Sequence, residues 1–377
     1  MKKLTALLLS MVMCLGMLAG CSSAPASSES TPESTEPEVR TVTVTDMSGD
    51  EVTITGEVEK IVNLWPAGTS SFFVMGAGDL IEALAVNNPG TMNAWTKHFY
   101  ADCVNIPAMG GTTPAVEEIV AMEPDLVIIH PSTAKDGMAQ QIRDAGIPAI
   151  NINFSNYETM AKAYTLLGDV LGGEYKAKLD AWCAEVTALS EKSKELTKDI
   201  ADEDKPVVMY ISGQNESMTT TMSSGSIIEE WVNISGGLYG PTVMGLQGTE
   251  ANEEEIFKLN PDIIIIGGTS QHVIYKNIME SEGWKDLDAV KNGTVYRNPY
   301  ACFNWDRFGL ESRLQIEYTL MLIQPEIAEA NGINRDYMID RVIEFYQTYN
   351  GTVLTETEAG YMLDGLQPDG TQEIPAE

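Results

Sequence analysis

Basic residues are scarce in this chain. Lysine and arginine number 23 against 55 aspartates and glutamates, which leaves a net charge of −32. A chain so acidic lacks the positive face that a phosphate backbone demands, so nucleic acid is not an expected partner. The charge suits a highly soluble protein in an extracytoplasmic or surface setting. Histidine is scarcer still, with only His98, His130 and His272. Of the five cysteines, Cys14 and Cys21 lie near the start. Cys103, Cys183 and Cys302 have no metal-like spacing and read as three independent small residues, with no Cys103–Cys302 bridge expected. Also missing are a Gly-x-Ser-x-Gly elbow, a His-Glu-x-x-His pair and a phosphate-binding Gly-Lys-Ser/Thr. Gly76-Ala77-Gly78 lacks the third glycine of a dinucleotide fingerprint and reads as a helix stop. Catalysis is therefore not expected, and no residue is assigned a catalytic role. The apolar run Leu4 to Leu18 is too short and interrupted for a membrane-spanning helix.

What is present is a repeat. Glu117 to Ile129 reads Glu-Glu-Ile-Val-Ala-Met-Glu-Pro-Asp-Leu-Val-Ile-Ile, and Glu254 to Ile266 reads Glu-Glu-Ile-Phe-Lys-Leu-Asn-Pro-Asp-Ile-Ile-Ile-Ile. Each copy is a helix end, a proline break and a strand. Proline has no N–H to continue the helix and steers its predecessor away from helical geometry. The branched apolar residues that follow suit a strand covered on both faces of a parallel sheet. Two copies point to two similar α/β lobes.

Around the repeat the chain divides readily. Residues 1–20 resemble a bacterial lipoprotein signal, with Lys2 and Lys3, an apolar stretch, and Leu18-Ala19-Gly20 before Cys21. Residues 21–40 are rich in Ser, Pro, Glu and Thr and read as a flexible tether. The N-terminal lobe is expected over 41–156, opening with a hairpin across Thr41 to Thr55 and a strand at Ile61 to Leu64. A connecting helix is expected over 157–200, with a break at Gly172-Gly173. The C-terminal lobe spans 205–350, and 351–377 reads as an acidic tail with a mobile end.

A lipoprotein leader, a polar tether, two α/β lobes and one long connecting helix together resemble a substrate-binding lipoprotein of an ABC importer. The resemblance is to the cluster that handles iron–siderophore, haem and cobalamin complexes. It is carried by Ile61-Val62-Asn63-Leu64-Trp65-Pro66, by the two Glu…Pro-Asp units, and by Phe303-Asn304-Trp305-Asp306-Arg307-Phe308-Gly309-Leu310-Glu311-Ser312. It implies two Rossmann-like lobes with parallel sheets, one connecting helix and a ligand cleft between the lobes. It implies lipidation at Cys21 and anchoring on the extracytoplasmic face of the cell membrane. The expected partners are a permease dimer with its ATPase and a small-molecule metal chelate. The protein is expected to act as a monomer without a resident cofactor, its cargo being an iron complex. Family members dock on permease arginines through one glutamate per lobe, placed seven residues before the Pro of each Pro-Asp unit. Here these are Glu117 and Glu254, with Glu118 and Glu255 adjacent.

In open α/β sheets a ligand lies beyond the carboxyl ends of the strands. The loops there hold Trp65, Trp95, Tyr100, His130, Tyr300, Phe303, Trp305 and Arg307. Aromatic walls with a fixed cation suit a large, flat or anionic chelate. Other roles stay open at this point: Trp305 as an anchor of the final helix, Asp306 as a partner of Arg307, and His130 and His272 as loop hydrogen-bonders. Convergence of the two histidines with a carboxylate would instead make a site for a free divalent ion. A single stiff connecting helix implies modest lobe movement on binding.

Overall fold

The hairpin expected at the start of the body forms β1 (Thr41–Thr45) and β2 (Glu51–Thr55), paired antiparallel. Its turn is closed by Gly49 at φ +90°, and Asp46 accepts the backbone N–H groups of Ser48 and Asp50. The structure, a computed structural model, describes residues 39–84, 92–109, 114–131, 137–213 and 215–372. The leader, most of the tether and Cys21 fall outside the described residues. From Arg40 onward the chain forms one compact unit.

The first lobe is built on β3 (Ile61–Asn63), β4 (Ile81–Leu84), β5 (Leu126–Ile129) and β6 (Ala149–Asn151). All pair parallel in the order β4-β3-β5-β6. The second is built on β7 (Val207–Ile211), β8 (Leu238–Tyr239), β9 (Ile263–Ile266) and β10 (Val295–Arg297). These pair parallel in the order β10-β9-β7-β8. Every residue of β5 and β9 is buried, which is why both read as unbroken apolar runs.

The repeated Pro-Asp units explain themselves in this frame. Glu123 and Asn260, each just before its proline, are the only non-glycine residues with positive φ among the described residues, at 49° and 47°. A left-handed residue ends the helix and proline bars its continuation. The aspartate that follows ties its strand to the chain leading into the neighbouring one. Asp125 Oδ2 accepts the N–H groups of Glu59 and Lys60, both at 2.9 Å. Asp262 Oδ2 accepts that of Val207 at 2.7 Å.

The helical region after the first lobe breaks at the expected glycine pair, and only its second half connects the lobes. It is two helices, Tyr157–Leu171 and Gly173–Thr197, broken at Gly172 where φ is +71°. The first packs on β1 and belongs with the first lobe. The second, 25 residues long, is the connecting helix, and at 1.5 Å per residue it spans about 37 Å. Trp182, fully buried in it, donates from Nε1 to the carbonyl of Leu310 at 2.7 Å.

The segment after Gly351 is likewise more than a tail. Thr355 caps a helix over Glu356–Leu363 through a reciprocal bond with Glu358. Leu354, Ala359, Met362 and Leu363 are buried in the main core. Leu354 just before the helix and three apolar residues along it outweigh the acidic composition of the segment. Residues 373–377, the expected mobile end, lie outside the described residues. Cys103, Cys183 and Cys302 are free thiols, the first and last buried.

Candidate functional site

At the carboxyl end of β3, Asn63 is fully buried and organises the turn that follows. Its Nδ2 donates to Trp65 O and Thr69 Oγ1, both at 2.9 Å, and its Oδ1 accepts the Trp65 N–H at 3.1 Å. The Trp65 ring lies directly over Gly68, where a Cβ would fall 2.0 Å from a ring carbon. No other residue fits there without moving the indole. Phe154, after β6, meets Trp65 edge-on at 5.1 Å and His130, after β5, at 6.3 Å. Phe308 of the second lobe meets Phe154 at 4.9 Å, so aromatic rings from both lobes close the mouth of the cleft. Burial lowers the His130 pKa, leaving a neutral imidazole at neutral pH.

The second lobe contributes charge. Arg307 lies in an ion pair with Asp306, Nε to Oδ1 at 3.4 Å, and donates from Nη2 to Ser212 O at 2.9 Å. Tyr210, on β7, donates its hydroxyl to Asp306 Oδ2 at 2.5 Å. Burial pushes the Asp306 carboxyl upward while Arg307 and Tyr210 hold it back. Burial alone would lower the Arg307 pKa, but its Tyr210 and Asp306 neighbours raise it, so the guanidinium stays charged. Gly267, after β9, makes room for the network: a Cβ there would sit 1.9 Å from Asp306 Oδ2.

Beside this mouth a crevice of about 130 Å³ runs between the lobes, bounded by Thr69, Ser70, Phe73 and Asn93 on one side and Cys302 and Phe303 on the other. Asn93 Nδ2 donates across it to the carbonyls of Ala301 at 2.8 Å and Cys302 at 3.0 Å. Glu311 grips the same loop from within, accepting the N–H groups of Cys302 at 2.9 Å and Phe303 at 2.7 Å and the hydroxyl of Tyr346. Burial pushes the Glu311 carboxyl up to about 7, although these three donors each oppose the rise.

Phe154 links Trp65 and His130 at the strand ends of the first lobe, Arg307 reaches Ser212 just past β7, and Phe303 lines the crevice. Tyr100 stacks on Phe73 at 5.1 Å and donates to Asp79 at 2.6 Å, one layer behind the crevice. Trp95, Tyr300 and Trp305 lie elsewhere. Trp95 is 0% exposed and donates to Leu366 O at 2.8 Å, holding the C-terminal segment. Tyr300 is buried under that segment, its N–H donating to Met362 O at 3.3 Å. Trp305, 0% exposed, packs edge-on against Tyr318 of the helix Ser312–Ile323. Sequence groups these three with the ligand loops because an indole or phenol in a loop reads alike whether it faces a cleft or a core. The site also holds Phe154, whose loop past β6 lies where strand-end ligands are expected, and Phe308, Tyr210 and Asn63, which sequence reasoning does not assign to it. Asn63 at the end of an otherwise apolar strand was the one legible signal.

Glu117 and Glu254 are both exposed, each the second residue of its helix, Val116–Val120 and Glu253–Leu259. In the second lobe Glu253 accepts from Trp284 Nε1 at 3.0 Å, and Glu255 closes a capping box with Asn252. Their neighbour Glu254 is left uncommitted among the described residues. Among the described residues no three His, Cys, Asp or Glu side chains gather in a way that could hold a metal ion. His272 stands beside Arg297, whose charge adds to burial in lowering its pKa.

Known proteins share this architecture. The chain is 28% identical over 303 residues to the uncharacterised ABC transporter substrate-binding lipoprotein YvrC of Bacillus subtilis, covering 78% of this chain and 90% of that one. It is 28% identical over 198 residues to the high-affinity heme uptake system protein IsdE of Staphylococcus aureus, covering 51% and 66%. A periplasmic solute-binding protein from Veillonella parvula superposes with a TM-score of 0.73 at 24% identity, over 88% of this chain and 99% of that one. The molybdate-binding protein MolA of Haemophilus influenzae superposes with a TM-score of 0.70 at 16% identity, over 83% and 99%. At these identities the superpositions establish the two-lobed fold. The periplasmic binding protein family matches residues 85–300, more than half of the sequence, and the chain belongs to that family.

Proposed function

We propose that this protein is a membrane-anchored, extracytoplasmic and non-catalytic receptor. It captures a metal chelate, foremost a ferric siderophore-type iron complex, and delivers it to the permease of an ABC importer. The observation that carries the reading is the mouth of the cleft. There Phe154 of the first lobe meets Trp65, His130 and, from the second lobe, Phe308, the residue that follows the charged Arg307 in the chain. Aromatic faces cover a broad planar or catecholate ligand, and a guanidinium fork recognises its anionic oxygens. Anchoring through Cys21 follows from the leader and agrees with the lipoprotein name of the Bacillus relative. Glu117 and Glu254 are the carboxylates that meet permease arginines, one on each lobe.

Haem is the second reading, and a specific observation favours it. His130 is a neutral imidazole set among aromatic rings, the form in which histidine serves as an axial ligand. The Staphylococcus relative is named as a heme uptake protein.

One titration separates the readings. Tryptophan fluorescence is followed as ferric catecholate, hydroxamate and citrate complexes, haem, cobalamin and free Zn²⁺, Mn²⁺ and Ni²⁺ are added to the protein. Saturable quenching by a ferric chelate, weakened about tenfold or more by Arg307→Gln, is expected. A haem response abolished by His130→Ala would move the assignment to haem. Silence across the panel would overturn the metal-chelate assignment. Transport has its own test: Glu117→Ala with Glu254→Ala is expected to abolish uptake with chelate binding intact, and Glu255→Ala to leave uptake near normal.

A further inference from the structure

A second pocket lies on the outer edge of the second lobe, away from the cleft. It is a cavity of about 350 Å³ along the free side of β10, the edge strand of its sheet. That volume falls within the range of small-molecule sites. Tyr275, Tyr296 and Tyr318 supply its aromatic walls, and Met321, Leu322 and Leu363 its apolar floor. Asp364 and Gln372 close it from the C-terminal segment, which lies beyond the matched family region.

Its charge is unusual for this chain. Arg297 lines the cavity half-buried, its guanidinium 5.7 Å from the centroid of the Tyr275 ring. Among the described residues no carboxylate lies within ion-pairing distance of it, although acidic residues outnumber basic ones by 55 to 23. The second cation, Arg335, is matched by Asp364 at 2.8 Å. Among the described residues the lining therefore carries one more positive charge than negative. The Tyr275 ring holds the guanidinium within cation–π range, and a guanidinium fork receives a carboxylate through two parallel hydrogen bonds.

We infer that this pocket binds a small organic carboxylate with an aromatic or planar body, its carboxylate on Arg297 and its ring between the tyrosines. The site is independent of the cleft and stands whatever the cleft takes. Tyr318 walls this pocket and packs edge-on against the buried Trp305. The N–H and C=O groups on the unpaired side of β10 leave the pocket's back wall polar, and the Tyr318 hydroxyl reaches one of them, Arg297 O, at 3.4 Å.

Calorimetric titration of the whole chain with benzoate tests the inference, with benzamide and acetate as comparators. Benzoate is expected to bind saturably with a Kd below about 1 mM. Benzamide lacks the charge and acetate the ring, so each is expected to bind about tenfold more weakly. Arg297→Gln is expected to weaken benzoate about tenfold or more, and Arg297→Lys to lie between, with thermal melting of both variants near wild type. Arg307→Gln is expected to leave benzoate binding unchanged. Equal binding of benzoate and benzamide, or of benzoate and acetate, would overturn the inference. So would loss of binding in Arg307→Gln with Arg297→Gln silent, which would place the anion in the cleft. Binding seen only when the chain is cut after Gln372 would also overturn it, giving the pocket to the chain's own last residues.

Discussion

The two lobes share a sheet order, a repeated helix–Pro-Asp–strand unit and a left-handed residue before each proline, yet they bring opposite chemistry to the cleft. The first lobe arranges neutral groups: the Asn63 amide holds the turn under Trp65, and His130 and Phe154 stand beside it. The second arranges charges, with Arg307, Asp306 and Tyr210 locked together in the interior. The contrast extends to the loop where the lobes meet. The first lobe grips residues 301–303 with an uncharged amide, Asn93, and the second grips them with a buried carboxylate, Glu311. The shared elements set the scaffold, and the residues just past the strand ends set what each lobe does.

The sharpest test of this contrast is to remove one organiser from each lobe. Asp306→Ala leaves the Arg307 charge buried and uncompensated and is expected to cost about 3–5 kcal/mol. Asn63→Ala strands a buried hydroxyl and carbonyl and is expected to cost about 1–3 kcal/mol. Urea unfolding of both variants measures the difference, and equal losses would erase it.

Next comes pH. Glu311 is raised from its ordinary 4.5 to about 7 in the folded protein, by burial. The folded chain thus holds this proton more tightly than the unfolded chain. The resulting stabilisation is complete below the unfolded value and is lost as pH climbs through 7. Its full size is about 3 kcal/mol. Wild type is expected to lose stability between roughly pH 4.5 and 7 relative to Glu311→Gln. The counterpart Asn93→Ala is expected to keep the wild-type pH profile. Parallel profiles for wild type and Glu311→Gln would show that the asymmetry of the grip has no titratable side.

The smallest effect concerns the repeat itself. Glu123 and Asn260 occupy the same left-handed position, but a glutamate is strained there and an asparagine tolerated. Glu123→Gly is expected to stabilise by about 1 kcal/mol, whereas Asn260→Gly is expected to gain nothing, because it also loses the side chain's two hydrogen bonds with Asp288. Denaturation midpoints measure both. A larger gain in the second lobe would reverse the ranking.

Much of the fold was legible because it is local. Alternation in Thr41 to Thr55, four branched apolar residues after each Pro-Asp, and a glycine pair at 172–173 each specify a backbone state with few neighbours consulted. The site was less legible. Trp65 and Arg307 could be placed at strand ends by position alone, but Trp95 and Trp305 have the same loop context and turn inward. Phe154 and Phe308 meet only because two lobes close on each other, across 154 residues of chain.

The sequence by itself therefore determined the two parallel-sheet lobes and the exposed glutamates, since backbone propensity and apolar periodicity act over a few residues. Tertiary structure alone decided which aromatic rings face the cleft, which carboxylates are buried, and that an acidic C-terminal segment packs as part of the core. Those outcomes depend on what a side chain meets across space, and burial and ion pairing are properties of the meeting rather than of either residue.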